Sequence, residues 1–258
     1  MRVSIVNLNW EGHDAVGQSI LNQVRFFQRR GDEVRIYLAH RPQNVPSGMR
    51  SLARVVNLAG LTGRRDMHFI ESDLHVYHYP GRYALLESIK TLERGAVIFY
   101  YHNVTPPDLW GSSFDREALR DSVASAGTFA HHADLVVTPS PFNADQLVQD
   151  YGIDRDRIRV LPLAVALDRF SPGPKDAVLL KRHGLHGRRV ILFVGRMAGN
   201  KRVELLVEAL AEVQQKVPNA FLMLVGDDRG NVAIEGSVAR ARMRAADLGV
   251  SDAVVFTG

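Results

Sequence analysis

The stretch GRMAGNKRVELLVEAL, residues 195–210, decides the fold because it joins a strand pattern to a helix pattern. The apolar run Val190–Val194 before it predicts a buried strand, and apolar residues at helical spacing from Val203 to Leu210 predict a helix. The junction places Arg196 and Lys201 where that helix begins. Because a helix N-terminus presents free N–H groups and the positive end of its dipole, the added cations predict a site for a diphosphate or another strong anion.

Strand and helix patterns alternate along the whole chain. Short apolar runs are separated by amphipathic stretches, and this order predicts an α/β fold built on parallel, doubly wound sheet. In the last part of the chain we expect helices at about 200–216 and 234–248. The expected strands are Val3–Leu8, Val34–Leu38, Leu74–Tyr77, Ala96–Tyr101, Leu135–Thr138, Ile158–Leu161, 190–194, 220–225 and 253–256.

The pattern breaks at Ser171–Pro174, where two prolines flank a glycine. Such a segment is typical of a hinge between domains. We therefore expect two domains, residues 1–170 and residues 171–258, of which the second contains only three strands. A parallel sheet this small has an open strand edge and should be marginally stable by itself.

Four sequence motifs follow one another along the chain: TPSPFNADQL at 138–147, GRMAGNK at 195–201, LVGDD at 224–228 and VVFTG at 254–258. In this order they resemble the retaining glycosyltransferases of family 4. These enzymes have the GT-B architecture, so the resemblance implies two Rossmann-like parallel-sheet domains, the second of them incomplete here. It also implies transfer of a hexosyl group from a nucleotide diphosphate sugar, with retention of the anomeric configuration.

The resemblance further implies roles for individual residues. In the family, the equivalents of Arg196 and Lys201 hold the donor diphosphate, and the position that matches His102 lies against the donor sugar. We therefore expect these three residues to be catalytic and Gly195 to belong to the donor site. The acceptor, which is a glycan, a lipid-linked acceptor or a small molecule, is expected on the N-terminal domain, and no cofactor is implied.

His102 directly follows the strand Ala96–Tyr101, and ligands of open parallel sheets bind at the carboxyl ends of strands. A histidine there can donate a hydrogen bond to a sugar hydroxyl or shuttle a proton. The alternative interpretation is a structural histidine. His75 and His78 occupy one predicted strand with two residues between them, so we expect them on opposite faces, unable to share a metal ion.

The segment Glu11–Ser19 follows the first strand and mimics the phosphate-binding pattern GxxxxGK[ST], with Gln18 at the lysine position. Without that lysine a nucleoside triphosphatase is disfavoured, and the absence of GxGxxG disfavours a conventional dinucleotide site. We expect instead a glycine loop whose Gly12 backbone lies close to the donor phosphates or the sugar.

Gly226 and Asp227 follow another predicted strand, and Asp228 comes next. Adjacent carboxylates can bind Mg²⁺, but the resemblance implies that Arg and Lys, and not a metal ion, neutralise the leaving group. We therefore expect Gly226 and Asp227 near the nucleotide, and no metal site. Plain solvated charge is the alternative interpretation of the two aspartates.

The composition limits the classes of protein and partner. The 258 residues carry a formal charge of +4, which suits an anionic ligand, but Lys and Arg are dispersed, so we expect no nucleic-acid partner. No cysteine is present, which excludes disulfides and thiolate chemistry. Neither a signal peptide nor a membrane-spanning segment is recognisable, and we expect a cytoplasmic protein whose only membrane contact is peripheral.

Two other functions remain open. Family members carry a pair of glutamates that grip the donor sugar and ribose, and neither has a match before Gly258, so one alternative is a non-catalytic fragment that binds a nucleotide sugar. The other is a GT-B sugar-nucleotide 2-epimerase, which would need acidic residues near His102 in a pattern that this sequence lacks.

Overall fold

The computed structural model describes residues 1–63, 66–109, 113–165, 170–227 and 232–258, without the side chains of 113–115 and 232–235. The chain divides into two compact units, one formed by Met1–Pro106 and Glu117–Ala166, the other by Pro107–Arg116 and Leu167–Gly258. Each unit contains a parallel sheet and a hydrophobic core of its own. The α/β class and the two parallel sheets predicted from the sequence are confirmed.

The first unit is built on a seven-stranded parallel sheet with the strand order β3-β2-β1-β4-β5-β6-β7. The order reverses between β1 and β4, which makes this point the topological switch of a doubly wound sheet. The short strand β3 lies in a region for which the sequence predicted no strand. The strands are β1 (Arg2–Asn7), β2 (Glu33–Leu38), β3 (Ala53–Val55), β4 (Leu74–Tyr79), β5 (Ala96–Tyr101), β6 (Leu135–Thr138) and β7 (Ile158–Val160).

Helices connect these strands, and local capping explains where the best defined of them begin. Asp14 caps the first helix by accepting a 2.6 Å hydrogen bond from the Gly17 N–H, and Ser140 caps the fifth, which Gly152 ends in the left-handed conformation. The helices are α1 (Ala15–Arg29), α2 (Leu58–Thr62), α3 (Met67–Ile70), α4 (Ser113–His131) and α5 (Pro141–Tyr151), with 3₁₀ turns at Ser47–Leu52, Ala84–Thr91, Pro107–Leu109 and Arg155–Arg157.

Alternation along β1 separates two cores on opposite faces of the first sheet. Ile5 packs into a cluster with Ile20 and Val24 of α1, whereas Val6 packs into a cluster with Tyr77 and Phe99. The period of two in side-chain direction explains why neighbouring residues of one strand belong to different cores. The apolar stripe of α1 is buried, as its helical spacing predicts.

The second unit is a three-stranded parallel sheet in the order β10-β9-β8, with β9 in the centre. Its described core contains Leu210, Leu222 and Leu224. The elements are α6 (Ala177–Arg182), β8 (Arg189–Val194), α7 (Val203–Gln214), β9 (Ala220–Val225), α8 (Val232–Asp247) and β10 (Val254–Phe256), with 3₁₀ turns at Gly199–Lys201 and Ser251–Ala253.

The expectation that Val190–Val194 forms a buried strand is wrong in one respect. Val190, Leu192 and Val194 are 41%, 60% and 69% exposed. These alternate residues share one face of β8, which is an edge strand, and no described residue covers that face. Burial along β8 is therefore one-sided, unlike in the central strand β9.

His75 of β4 is a buried histidine, and neither of its ring nitrogens has a hydrogen-bond partner among the residues that the structure describes. Its ring meets Phe69 edge-on at a centroid distance of 5.0 Å. Burial lowers the pKa of His75 to about 4. The folded protein therefore holds this imidazole neutral at pH values at which an unfolded chain, with an ordinary histidine pKa of 6.5, takes up a proton.

We expect His75→Phe to make the protein more resistant to acid. Because the folded pKa is the lower one, stability falls as the pH drops from 6.5 towards 4, by up to about 1.4 kcal/mol per pH unit for one histidine. Urea unfolding at pH 7 and at pH 5 measures the free energy of unfolding, which should fall less between these two pH values in the variant. His40→Asn alters an exposed histidine and serves as the control; an unchanged pH dependence in His75→Phe would contradict this linkage.

Candidate functional site

The loop between β8 and α7 is held in place by its own buried residues. The Gly195 N–H donates a 2.9 Å hydrogen bond to the Val225 carbonyl, and Met197 and Ala198 are buried in the core of the second unit. The Lys201 N–H closes the following 3₁₀ turn by bonding to the Ala198 carbonyl at 2.9 Å. The backbone that carries the predicted cations is therefore fixed before any ligand binds.

Arg196 and Lys201 both have exposed side chains on this loop. In the part of the chain that the structure describes, neither side chain makes a hydrogen bond or an ion pair. Arg244 of the same unit, by contrast, is paired with Glu208 at 2.8 Å. Two exposed cations without protein partners leave their charge available to an anion from solution.

The helix that follows begins at Val203, three residues later than the sequence predicts. Arg202 adopts the left-handed conformation, with φ 50° and ψ 45°, and this conformation separates the 3₁₀ turn from α7. The Arg202 side chain does not cap the helix and instead pairs with Glu204 at 3.0 Å. The first N–H groups of α7 therefore have no side-chain acceptor, which leaves the helix end open to an anion.

A further cation lies beside the same turn. The Nη2 atom of Arg240, on α8, is 3.9 Å from the position that a Cβ atom on Gly199 would take. The Arg240 side chain is exposed. No local sequence pattern predicts this position, because the packing of α8 against the turn Gly199–Lys201 brings the two together.

The two glycines predicted for the donor site lie at the carboxyl ends of neighbouring strands. A Cβ atom on Gly226 would come within 2.0 Å of the Gly195 carbonyl oxygen, and Gly226 has φ 140°. The close approach of the two backbones therefore requires a glycine at Gly226, whatever this loop binds. Asp227 follows with an exposed side chain, and Asp228 lies outside the described residues.

Among the described residues there is no group of three or more His, Cys, Asp or Glu side chains that could hold a metal ion.

The loop after β1 uses its polar groups to hold its own shape. The Gly12 N–H donates to the Gln43 carbonyl at 2.9 Å, and the Gln18 amide donates back to the Gly12 carbonyl. A Cβ atom on Gly12 would lie 1.9 Å from the Asn44 carbonyl oxygen. Gln18, at the position of the phosphate-binding lysine, thus binds within the loop, and Gly12 is required by the close approach of another backbone.

His102 lies at the carboxyl end of β5 in the first unit, directly after Tyr101. Its backbone N–H donates to the Tyr79 carbonyl at 3.0 Å, which extends the pairing of β5 with β4. Its Nε2 atom lies 2.7 Å from Nδ1 of His78, and Nε2 of His78 lies 3.1 Å from Oε1 of Gln23 on α1. The predicted residue therefore belongs to a hydrogen-bonded chain that the sequence analysis did not include.

Both imidazoles are neutral at physiological pH. Burial lowers the pKa of His102 to about 4. Burial, followed by the proximity of His102, holds the pKa of His78 well below its ordinary value. His75 meets Phe69 of α3 while His78 meets Gln23 of α1, which agrees with the expectation that these two histidines cannot share a metal ion.

The sequence predicts the contact between His78 and His102 only when the register of β4 against β5 is known. His78 pairs with Tyr100 in the parallel ladder of β4 and β5. Tyr100 and His102 lie two residues apart and share a face, so His78 must be their neighbour once the register is known. Gln23 gave no such signal, because it is brought in by the packing of α1.

Comparison with known families decides the identity of the fold. Residues 16–169 match the model of Glycosyltransferase Family 4, and residues 178–258 match the model described as Glycosyl transferases group 1. The chain belongs to glycosyltransferase family 4. The predicted resemblance is thereby confirmed. The first model contains the motif at 138–147, and the second contains the three motifs that follow it.

Curated relatives support the same assignment. A D-inositol 3-phosphate glycosyltransferase of Nocardia farcinica is 36% identical over 126 residues, and one of Acidothermus cellulolyticus is 42% identical over 129 residues. Each alignment covers 48% of this chain and 28% of the relative. A mannosylfructose-phosphate synthase of Agrobacterium fabrum is 32% identical over 129 residues, with the same coverage.

Solved structures show the same fold at low sequence identity. Anabaena HepE in complex with UDP and glucose superposes with a TM-score of 0.75 at 16% identity, over 100% of this chain and 69% of HepE. A sucrose-phosphate synthase of Thermosynechococcus elongatus gives a TM-score of 0.71 at 15% identity, over 99% of this chain and 70% of the synthase. The predicted GT-B fold is therefore confirmed for the family 4 chain, which spans about 70% of the length of these two structures.

In the part of the family 4 chain that the structure describes, the helices are all too short or too polar to cross a membrane.

We expect Gly226→Ala to destabilise the second unit by at least about 2 kcal/mol, because the new methyl group meets a backbone oxygen that has no room to move. Urea unfolding of the full chain measures the effect. Gly173→Ala is the control, since nothing lies within 4 Å of a Cβ atom there. Unchanged stability with lost nucleotide binding would show that Gly226 serves the ligand and not the packing.

Proposed function

We propose that this chain forms part of a glycosyltransferase that moves a hexosyl group from a nucleotide diphosphate sugar to an acceptor, with retention of the anomeric configuration. Membership of family 4 and the names of the relatives support sugar transfer. A nucleotide donor is supported by the fold neighbour HepE, whose structures contain UDP, UDP with glucose, or UDP-glucose. Retention rests on the family resemblance. It is checked by NMR, which identifies the anomer that is released first from an α-linked donor.

One observation carries the proposal. Arg196 and Lys201 are exposed, make no hydrogen bond or ion pair within the described residues, and precede the uncapped N-terminus of α7. A helix end of this kind binds phosphate oxygens through free N–H groups, and the two side chains add charge-assisted hydrogen bonds. We assign this loop to the diphosphate of the donor.

The same contacts serve the chemical step. When the bond between the sugar and the diphosphate breaks, negative charge develops on the departing nucleoside diphosphate. Arg196 and Lys201 stabilise that charge without help from a metal ion, and each donor aimed at developing charge is worth about 3 kcal/mol in the transition state. Gly195, Gly226 and Asp227 complete the proposed donor side of the second unit.

His102 is the candidate residue of the first unit. Its imidazole is held at the carboxyl end of a central strand, where open parallel sheets bind their ligands. Because the imidazole is neutral, it suits a neutral sugar hydroxyl better than a phosphate. We assign His102 to the donor sugar and the Gly12 loop to its vicinity.

We expect the 258-residue chain to bind one of UDP, GDP and ADP without added metal, and Arg196→Ala and Lys201→Ala each to weaken this binding about 10- to 150-fold. The reason is that a hydrogen bond to a charged group is worth about 1.5–3 kcal/mol. Isothermal titration calorimetry of the three nucleotides measures the effect. Because both side chains are exposed and unpaired, the melting temperature should stay nearly unchanged.

Two controls separate the diphosphate contact from other effects. Lys216→Ala removes an exposed lysine beyond the other end of α7 and should bind like the unchanged chain. The matching nucleoside monophosphate should bind weakly and respond less to Arg196→Ala. Binding that survives both substitutions, or a large drop in melting temperature with binding intact, would overturn the assignment of the loop.

A further inference from the structure

Three rings stack at the carboxyl end of β4 and β5. The centroid of Tyr100 lies 4.4 Å from that of His102 and 5.3 Å from that of His78, and the two imidazoles lie 5.0 Å apart with an interplanar angle of 10°. His78 is fully buried and His102 is partly exposed. The stack therefore has an inner histidine and an outer one.

The hydrogen bonds of this cluster run in one chain from α1 to His102. Oε1 of Gln23 faces Nε2 of His78 at 3.1 Å, and Nδ1 of His78 faces Nε2 of His102 at 2.7 Å. The other end of the Gln23 amide, its Nε2 atom, faces the Ser19 hydroxyl at 3.5 Å. In this orientation the amide oxygen of Gln23 faces His78.

The position of each proton follows from this order. A carbonyl oxygen only accepts, so Nε2 of His78 carries the proton that it donates to Gln23. Because His78 is neutral, its Nδ1 is bare and accepts from Nε2–H of His102. His102 is neutral as well, so its own Nδ1 carries no proton.

We propose that Gln23 and His78 are positioning residues that hold His102 in the Nε2–H tautomer, so that its free Nδ1 accepts a hydrogen bond from a hydroxyl of the donor sugar. The second half of this statement rests on the proposed function, whereas the first half does not. From the sequence we expect His102 to donate a hydrogen bond or to shuttle a proton. The hydrogen-bonded chain from Gln23 through His78 makes His102 an acceptor instead.

Hydrogen bonds of neighbouring residues hold the two histidines in this arrangement. Nδ1 of His102 makes no hydrogen bond within the described residues, which leaves it free for a ligand. The Tyr100 hydroxyl donates to the Leu161 carbonyl at 3.1 Å, which holds the Tyr100 ring in place. The Tyr83 hydroxyl lies 2.9 Å from the His78 carbonyl and 3.1 Å from that of Val6, which ties the end of β4 to β1.

The tautomers can be read directly by two-bond ¹H–¹⁵N correlation spectra of the ¹⁵N-histidine-labelled full chain at pH 7.5. Signals are assigned by their loss in His78→Phe and in His102→Phe. We expect both histidines to be neutral, with protonated Nε2 and bare Nδ1. An Nδ1–H tautomer of His102, or a doubly protonated ring, would overturn the proposal without reference to any activity.

A variant tests whether Gln23 sets the direction of the hydrogen bonds through His78 to His102. Gln23→Leu removes the acceptor, so His78 should lose its single tautomer and His102 should become a mixture. Gln28→Leu changes the same residue type at an exposed position of the same helix and should leave both tautomers unchanged. If Gln23→Leu folds like Gln28→Leu, as judged by melting temperature, and both tautomers persist, Gln23 is not a positioning residue.

Ligands separate this proposal from the proposed function. Addition of UDP-glucose should shift the Nδ1 resonance of His102 to lower frequency, as accepting a hydrogen bond does, whereas UDP alone should not. Binding of both ligands with no selective shift would overturn the role of Nδ1 in sugar binding. If neither ligand binds, the proposed function fails for this donor. The tautomer spectra by themselves then decide whether Gln23 and His78 hold His102 in the Nε2–H tautomer.

Discussion

Parallel pairing is the constraint on which the arrangement of every candidate residue depends. It puts the carboxyl ends of neighbouring strands at the same edge of a sheet, and each residue in question follows such an end. Gly12 and His102 lie beyond β1 and β5 in the first unit, whereas Arg196 and Gly226 lie beyond β8 and β9 in the second. Within each unit, chemistry dispersed along the sequence is thereby collected at one edge.

The same pairing explains what the sequence could and could not predict. Strand positions follow from apolar runs, so the places of His102 and Arg196 after strands were predictable. The contact between His78 and His102 requires the register of β4 against β5, which no local pattern contains. The start of α7 at Val203 depends on a left-handed Arg202, where the usual sequence marker, a glycine, is absent.

Glycines show how packing and binding overlap. The resemblance assigned Gly12, Gly195 and Gly226 to the donor site, and the structure gives Gly12 and Gly226 a reason of their own, because each meets a backbone carbonyl oxygen that leaves no room for a methyl group. The packing requirement therefore accounts for these residues without opposing their proposed role near the donor.

The candidate residues of the two units differ in charge. The cations of the β8–α7 loop suit a diphosphate, since hydrogen bonds between charged donors and phosphate oxygens are strong. The imidazole of His102 suits a hydroxyl because burial lowers its pKa to about 4, so protonating it at pH 7 would cost roughly 4 kcal/mol. A proton shuttle at His102 would have to overcome that cost, whereas accepting a hydrogen bond at Nδ1 requires no proton transfer. Orientation of the sugar is therefore the role that the electrostatics of His102 favour.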